Sequence, residues 1–195
     1  MNYPKIYKRK PPDDAGQLIV GIDPGKTGGF AAVQYSNDYN KFYPVDMGTV
    51  FLDLDGNVDV FHLSLILEHL PKIDMIVLEK QHSYKMGRES AMKFGFTCGI
   101  IHAVCRLSKA EQELYVRPNV WQTEIFLQDD KIKMKTISKP KNWKSLKPQK
   151  VLSLQYTRDI FGIELDDHNI ADAFMLVEYG RRFMKGDLNG NRSTV

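Results

Sequence analysis

The chain has 195 residues and a formal net charge of +3, with 43% hydrophobic and 26% charged residues. Those proportions are ordinary for a single water-soluble domain with room for a sizeable core. No apolar run is long enough to span a bilayer, and the N-terminus lacks the apolar segment of a secretory signal, so a cytoplasmic protein with no membrane partner is expected. The two cysteines, Cys98 and Cys105, stand in a helical pattern without Cys-x-x-Cys or Cys/His spacing, which argues against a zinc site and predicts buried free thiols.

Residues 1–16, with Lys5, Lys8, Arg9 and Lys10, read as a basic flexible arm. Residues 18–33 (LIVGIDPGKTGGFAAV) read as a buried strand ending in Asp23, a turn rich in Gly and Pro, and a second strand from Phe30. Gly-Lys-Thr at 25–27 is not a Walker A loop, because the position that needs the first glycine is Val20. Residues 41–47 predict a short strand and 48–54 (GTVFLDL) a third one, closed by Asp55-Gly56-Asn57. Residues 58–70 carry Val60, Leu63, Ile66, Leu67 and Leu70 at helical spacing, with Pro71 as a stop.

Residues 74–79 (DMIVLE) repeat the pattern of a buried strand ending in a carboxylate. A long helix is expected over 87–109, its apolar stripe formed by Ala91, Phe94, Cys98, Ile101, Val104 and Cys105. A short strand at 114–116, a helix over 118–127 containing Trp121, a helix over 149–161 and a last helix over 169–183 follow. Residues 186–195 read as a disordered tail. Three strands joined by hairpin-like turns, then helix, strand, helix, strand and helices, predict an α/β domain. Its plan is the ribonuclease H-like fold: a mixed five-stranded sheet with three antiparallel leading strands, flanked by helices.

In that plan Asp23 and Glu79 end neighbouring strands at one edge of the sheet, and Asp172 stands at the start of the last helix. His168 precedes Asp172 by one helical turn, and Asp166 and Asp167 add charge or cap the helix. Taken alone, Glu79 fits a surface pair with Lys80 or Lys85 equally well, and Asp23 fits a plain turn. Converging carboxylates repel unless hard cations neutralise them. Two such ions activate water and stabilise the leaving oxygen in phosphodiester cleavage.

The +3 total hides an asymmetry. Residues 131–150 (KIKMKTISKPKNWKSLKPQK) hold eight lysines and no acid, so the remainder, +3 less eight, nets −5. With Trp143, this is a stripe that attracts a phosphate backbone. Lys139, Lys141, Lys144 and Lys147 within it, and Lys85, Arg88 and Lys93 elsewhere, are the candidate phosphate contacts.

Together, GIDPGKTGGFAAV, IVLEK, RESAMKFGFTCGIIHAV, RPNVW and HNIADAF resemble the RuvC family of Holliday-junction resolvases, in the same order from Leu18 to Phe183. The resemblance implies a nuclease domain over 17–185, a homodimer, and paired Mg²⁺-dependent nicks in four-way or branched DNA. The enzyme class is then a crossover junction endodeoxyribonuclease with two ions per site, and Mn²⁺ as a substitute. By position, Asp23, Glu79 and Asp172 become the metal-binding carboxylates, and His168 or Asn169 the fourth group. His168 is preferred, since imidazole ligates metals. The family often places a base-stacking aromatic after the strand-ending Glu, and His82 and Tyr84 are the candidates here. The long lysine segment is a departure that leaves four-way junctions and a broader set of branched DNAs both open. A compact member with a basic arm would suit a phage or virus, acting inside its host cell. Two other readings are a catalytically inactive scaffold of the same fold and an actin- or Hsp70-like phosphotransferase. The chain lacks the length and the second Asp-x-Gly hairpin for the latter.

Overall fold

The middle of the sheet is β1, Gln17–Asp23, whose residues are buried from Leu18 onward. A strand apolar on both faces must be covered on both, and this one is. The computed structural model describes residues 16–24, 28–36, 41–50, 57–80, 87–126 and 146–188. The basic arm, the expected strand residues 51–54, His82, Tyr84, Lys85, most of the lysine segment and the tail beyond 188 lie outside them.

β1 pairs antiparallel with β2, Gly29–Ser36, from Gln17 opposite Tyr35 to Asp23 opposite Gly29. β2 pairs antiparallel with β3, Lys41–Thr49. On its other side β1 pairs parallel with β4, Met75–Glu79, which pairs parallel with β5, Gln112–Val116. The sheet order is β3-β2-β1-β4-β5, the mixed five-stranded plan expected.

One boundary is corrected. Instead of a short strand at 41–47 and another at 48–54, a single strand runs to Thr49. Pro44 lacks an N–H and Gly48 weakens a strand, which made a break plausible. Here Pro44 lies on an edge strand beside a register shift at Ala32/Val33, where proline is tolerated.

Among the described residues, five helices cover the faces. α1 is Val60–His69, α2 Arg88–Leu107, α3 Pro118–Ile125, α4 Pro148–Phe161 and α5 His168–Lys185. Most of their starts have a local cause. Asp59 accepts the His62 N–H and caps α1, and Pro118 and Pro148 open α3 and α4 with a preset φ. Asp167 accepts the Asn169 N–H at 2.8 Å and caps α5, one residue earlier than the sequence pattern suggests. Gly162 and Gly186 end α4 and α5 with φ of 68° and 76°. Gly186 therefore belongs to a helix cap, not to a tail.

The period of two along the strands sends alternate residues into two separate cores. Leu18, Val20, Ile22, Ile76 and Leu78 meet α1 and α2 residues such as Leu63, Ile101 and Cys105. Ile19, Met75 and Val77 meet Trp121, Val151 and the Ala173–Val177 stretch of α5 on the other face. α2 buries only Ile101, Val104 and Cys105, so the longer expected stripe through Ala91, Phe94 and Cys98 is not a core face. Cys98 is half-buried rather than buried, and both thiols are free. α5 sits hard against β1: a Cβ added to Gly21 would stand 2.1 Å from the Ala173 carbonyl oxygen. No helix among the described residues is long and apolar enough to cross a membrane.

Candidate active site

β1 and β4 end together. Their last paired residues are Ile22 and Leu78, so Asp23 and Glu79 follow side by side in register. By strand alternation each shares its face with Ile19 or Met75 and Val77, the side covered by α5. α5 contributes Asp172, adjacent to the Ala173 that touches Gly21. The three acids are 4%, 8% and 3% exposed for Asp23, Glu79 and Asp172. A buried carboxylate is costly unless it is compensated, and three near one another more so.

The compensation is partial and specific. The indole N–H of Trp121 donates to Glu79 Oε2 at 2.7 Å. Lys150 Nζ donates to Asp172 Oδ2, and Ser153 Oγ donates to Asp172 Oδ1. Both donors come from the first turns of α4, which packs beside α5. Burial foremost, and then the charge of Asp23, pushes the Glu79 carboxyl up to about 8; Asp172 adds to this, while Trp121 and Lys150 oppose it. Burial also raises Asp172, against Lys150, Ser153 and His168. Burial opposes the charge on Lys150, but Asp172, Asp23 and Glu79 outweigh it and hold the ammonium above its ordinary range. The three carboxylates therefore form one electrostatic unit with an internal cation.

His168 opens α5, one turn before Asp172. Its Nδ1 is buried without a hydrogen-bond partner, and the ring lies near enough to lower the Asp172 carboxyl. Asp167 is occupied as the helix cap. The donor chemistry, three carboxylates and an imidazole nitrogen, fits a hard divalent cation. Among the described residues, however, no three His, Cys, Asp or Glu side chains already stand close enough to share one. An ion using Asp172 Oδ2 must compete with Lys150.

No family model matches this sequence, and no curated protein matches it significantly. Solved structures do. Thermus thermophilus RuvC superposes with a TM-score of 0.60 at 15% identity, covering 88% of this chain and 98% of that one. The same protein in complex with a Holliday junction substrate gives 0.60 and 15%, covering 88% and 96%. The fowlpox virus Holliday junction resolvase gives 0.45 at 16% identity, covering 88% and 100%. The fold is that of RuvC.

On this RuvC-type fold the candidate phosphate contacts are spread. Arg88 is exposed at the start of α2, and Lys93 pairs with Glu89 at 2.8 Å on the same exposed surface. Lys147 is exposed as the residue that caps α4. Lys85, Lys139, Lys141 and Lys144, with His82 and Tyr84, lie outside the described residues. Sequence reasoning missed Trp121, Lys150 and Ser153 as partners of the acids. Lys150 passes for the last member of a cationic stripe. Its one distinguishing signal is that it directly precedes the buried Val151 and Leu152. Ser153 is a hydroxyl in a fully buried helix position, which by itself demands a partner.

Proposed function

We propose that this chain is a metal-dependent, structure-selective DNA endonuclease that resolves Holliday junctions or related branched DNA by paired nicks, acting as a homodimer. What supports this reading is that β1, β4 and α5 of a RuvC-type fold bring Asp23, Glu79 and Asp172 within electrostatic reach of one another, all three buried. A RuvC of the same fold has been solved with a Holliday junction substrate.

Asp23, Glu79, Asp172 and His168 would hold the divalent ions, Mg²⁺ or Mn²⁺. When bound, the ions supply water activation and stabilisation of the leaving oxygen. The chain's own residues do the rest. Ser153 hydrogen-bonds Asp172 and Trp121 hydrogen-bonds Glu79. Lys150, once it leaves Asp172, presents an ammonium to the phosphate at the edge of the acid cluster. Burial keeps Glu79 protonated near neutral pH in the metal-free protein, so loading the site releases a proton. The lysine segment and Lys147 would neutralise the DNA backbone without reading bases.

The second copy would pack along α2. Met92, Phe96 and Leu107 stand exposed there at 71%, 63% and 78%. Among the described residues, nothing beyond the adjoining turns of α2 itself lies within 4 Å of a Cβ added at Gly95 or Gly99. A helix with this much bare apolar surface is unusual for a solitary chain.

The test is nicking of a synthetic four-way junction with and without Mg²⁺. Asp23→Asn, Glu79→Gln and Asp172→Asn should each nearly abolish nicking, with junction binding in metal-free buffer retained. Near-wild-type cleavage by any one of them removes that residue from the site. The Lys150 bond to Asp172 favours one other reading, a branched-DNA scaffold that never loads metal. Junction binding by the wild type with no nicking in any divalent ion would establish that reading.

A further inference from the structure

We infer that Trp121 is a positioning residue for Glu79, an anchor that holds one carboxylate oxygen in place. The inference rests on the endonuclease reading for its consequence, and on geometry for its existence. The indole N–H is a donor with no acceptor capacity, so it serves a carboxyl group in either protonation state. It lies 2.7 Å from Oε2, and both side chains are buried.

The indole cannot turn away. Its ring meets Phe126 edge-on, with centroids 5.6 Å apart, and Phe126 in turn meets Tyr156 of α4 edge-on at 5.3 Å. α3 begins at Pro118, shortly after β5, which pairs with β4 through Val116 opposite Glu79. Trp121 and Glu79 are thus tied to the same pair of strands. A glutamate has three side-chain torsions, and a bond to a fixed indole narrows the directions they take. So bonded, Glu79 keeps Oε2 against the wall of the acid cluster. Partners that orient a ligand in this way are commonly worth about 10- to 100-fold in metal affinity or activity.

The chain has two tryptophans, so the indole signal that vanishes from a ¹⁵N–¹H spectrum in Trp121→Phe is that of Trp121. In the wild type this signal should shift on titration with MgCl₂. In Glu79→Gln it should start elsewhere and no longer respond. Trp121→Phe keeps an aromatic ring against Phe126 and removes the donor. It should bind Mn²⁺ about 10- to 100-fold more weakly and nick correspondingly slowly, with an unchanged far-UV spectrum and unchanged junction binding in metal-free buffer. An indole signal unaffected by Glu79→Gln overturns the inference, and so does wild-type Mn²⁺ affinity in Trp121→Phe. If the wild type itself neither binds Mn²⁺ nor nicks, the endonuclease reading falls. The response of the indole to Glu79→Gln then decides the anchor alone. The same signal decides it if Trp121→Phe does not fold.

Discussion

Lys150 donates to Asp172 from the neighbouring helix, and its ammonium bears on all three buried acids. Its side chain keeps 31% exposure, whereas that of Asp172 keeps 4%. The pair is therefore half inside the protein, with the cationic end able to leave. Lys150→Met should leave Asp172 buried beside Ser153 and Glu79 without that charge. In EDTA the variant should lose about 2 kcal/mol in urea unfolding, less than a fully buried pair would lose because Lys150 is partly solvated. It should also gain more stability from added Mn²⁺ than the wild type does, since the metal no longer competes with an ammonium. An unchanged response to Mn²⁺ would show that the two cations do not share Asp172.

Glu79 carries a second prediction, with a definite sign. Its folded-state value of about 8 lies above its ordinary 4.5, so the folded protein holds this proton more tightly than the unfolded chain. The stability gained from that proton is fully present below 4.5 and is lost as pH rises through about 8. In EDTA the wild type should become easier to unfold with urea across this window. Glu79→Gln, which cannot ionise, should lack that component of the slope. The Asp23 charge helps to raise Glu79, so Asp23→Asn should bring the folded-state value down. In that variant the loss should level off at a lower pH and be smaller in total. A wild-type slope in Glu79→Gln would assign the titration to another group.

The proposed dimer surface is tested through Phe96, which is exposed at 63% on α2. Phe96→Glu places a charge where a second copy of the helix is expected and costs the isolated chain little, since the residue is outside the core. Sedimentation should show the wild type at twice the chain mass and Phe96→Glu at the single-chain mass. Single nicks should then replace paired ones. A wild type that sediments as a single chain rejects the α2 interface.

Much of this architecture is legible in the residues themselves. Leu18–Ile22 and Met75–Leu78 are apolar runs with no polar face, and each ends in a single acid, so a buried strand and its terminal carboxylate can both be read directly. Asp172 is legible because it interrupts an otherwise apolar helix stripe. The partners of these acids are not. Trp121, Lys150 and Ser153 lie 42, 22 and 19 positions from the residues they bond, and no periodicity links them. The third strand is misjudged for a related reason. Whether Pro44 breaks a strand depends on its edge position, which only the assembled sheet determines.

The lysine segment yields to salt dependence. Replacing Lys139, Lys141, Lys144 and Lys147 with Ala should weaken junction binding and flatten the slope of log K against log salt. The change should be about two to four units, at roughly 0.9 for each phosphate no longer neutralised. The nicking rate at saturating enzyme should change much less. If affinity and slope both persist, the DNA path must be sought over Lys85, Arg88 and Lys93.

Gly21→Ala is the sharpest packing test. The new methyl would stand 2.1 Å from the Ala173 carbonyl oxygen, and main chain cannot swing aside as a side chain can. The variant should lose about 3 kcal/mol or more in urea unfolding, at the upper end for one added methyl group. Gly180→Ala, whose nearest neighbour is a Val77 methyl at 2.7 Å, should lose less.

The approach of Gly21 to Ala173 lies two residues before Asp23 and one residue after Asp172. It works as a ruler made of peptide groups, which have no rotamers to choose among. Core side chains that do not touch the acids can be exchanged for others of similar volume without resetting this contact. Aliphatic core residues such as Ile19 and Val77 are free to drift, while this main-chain contact beside Asp23 and Asp172 is not.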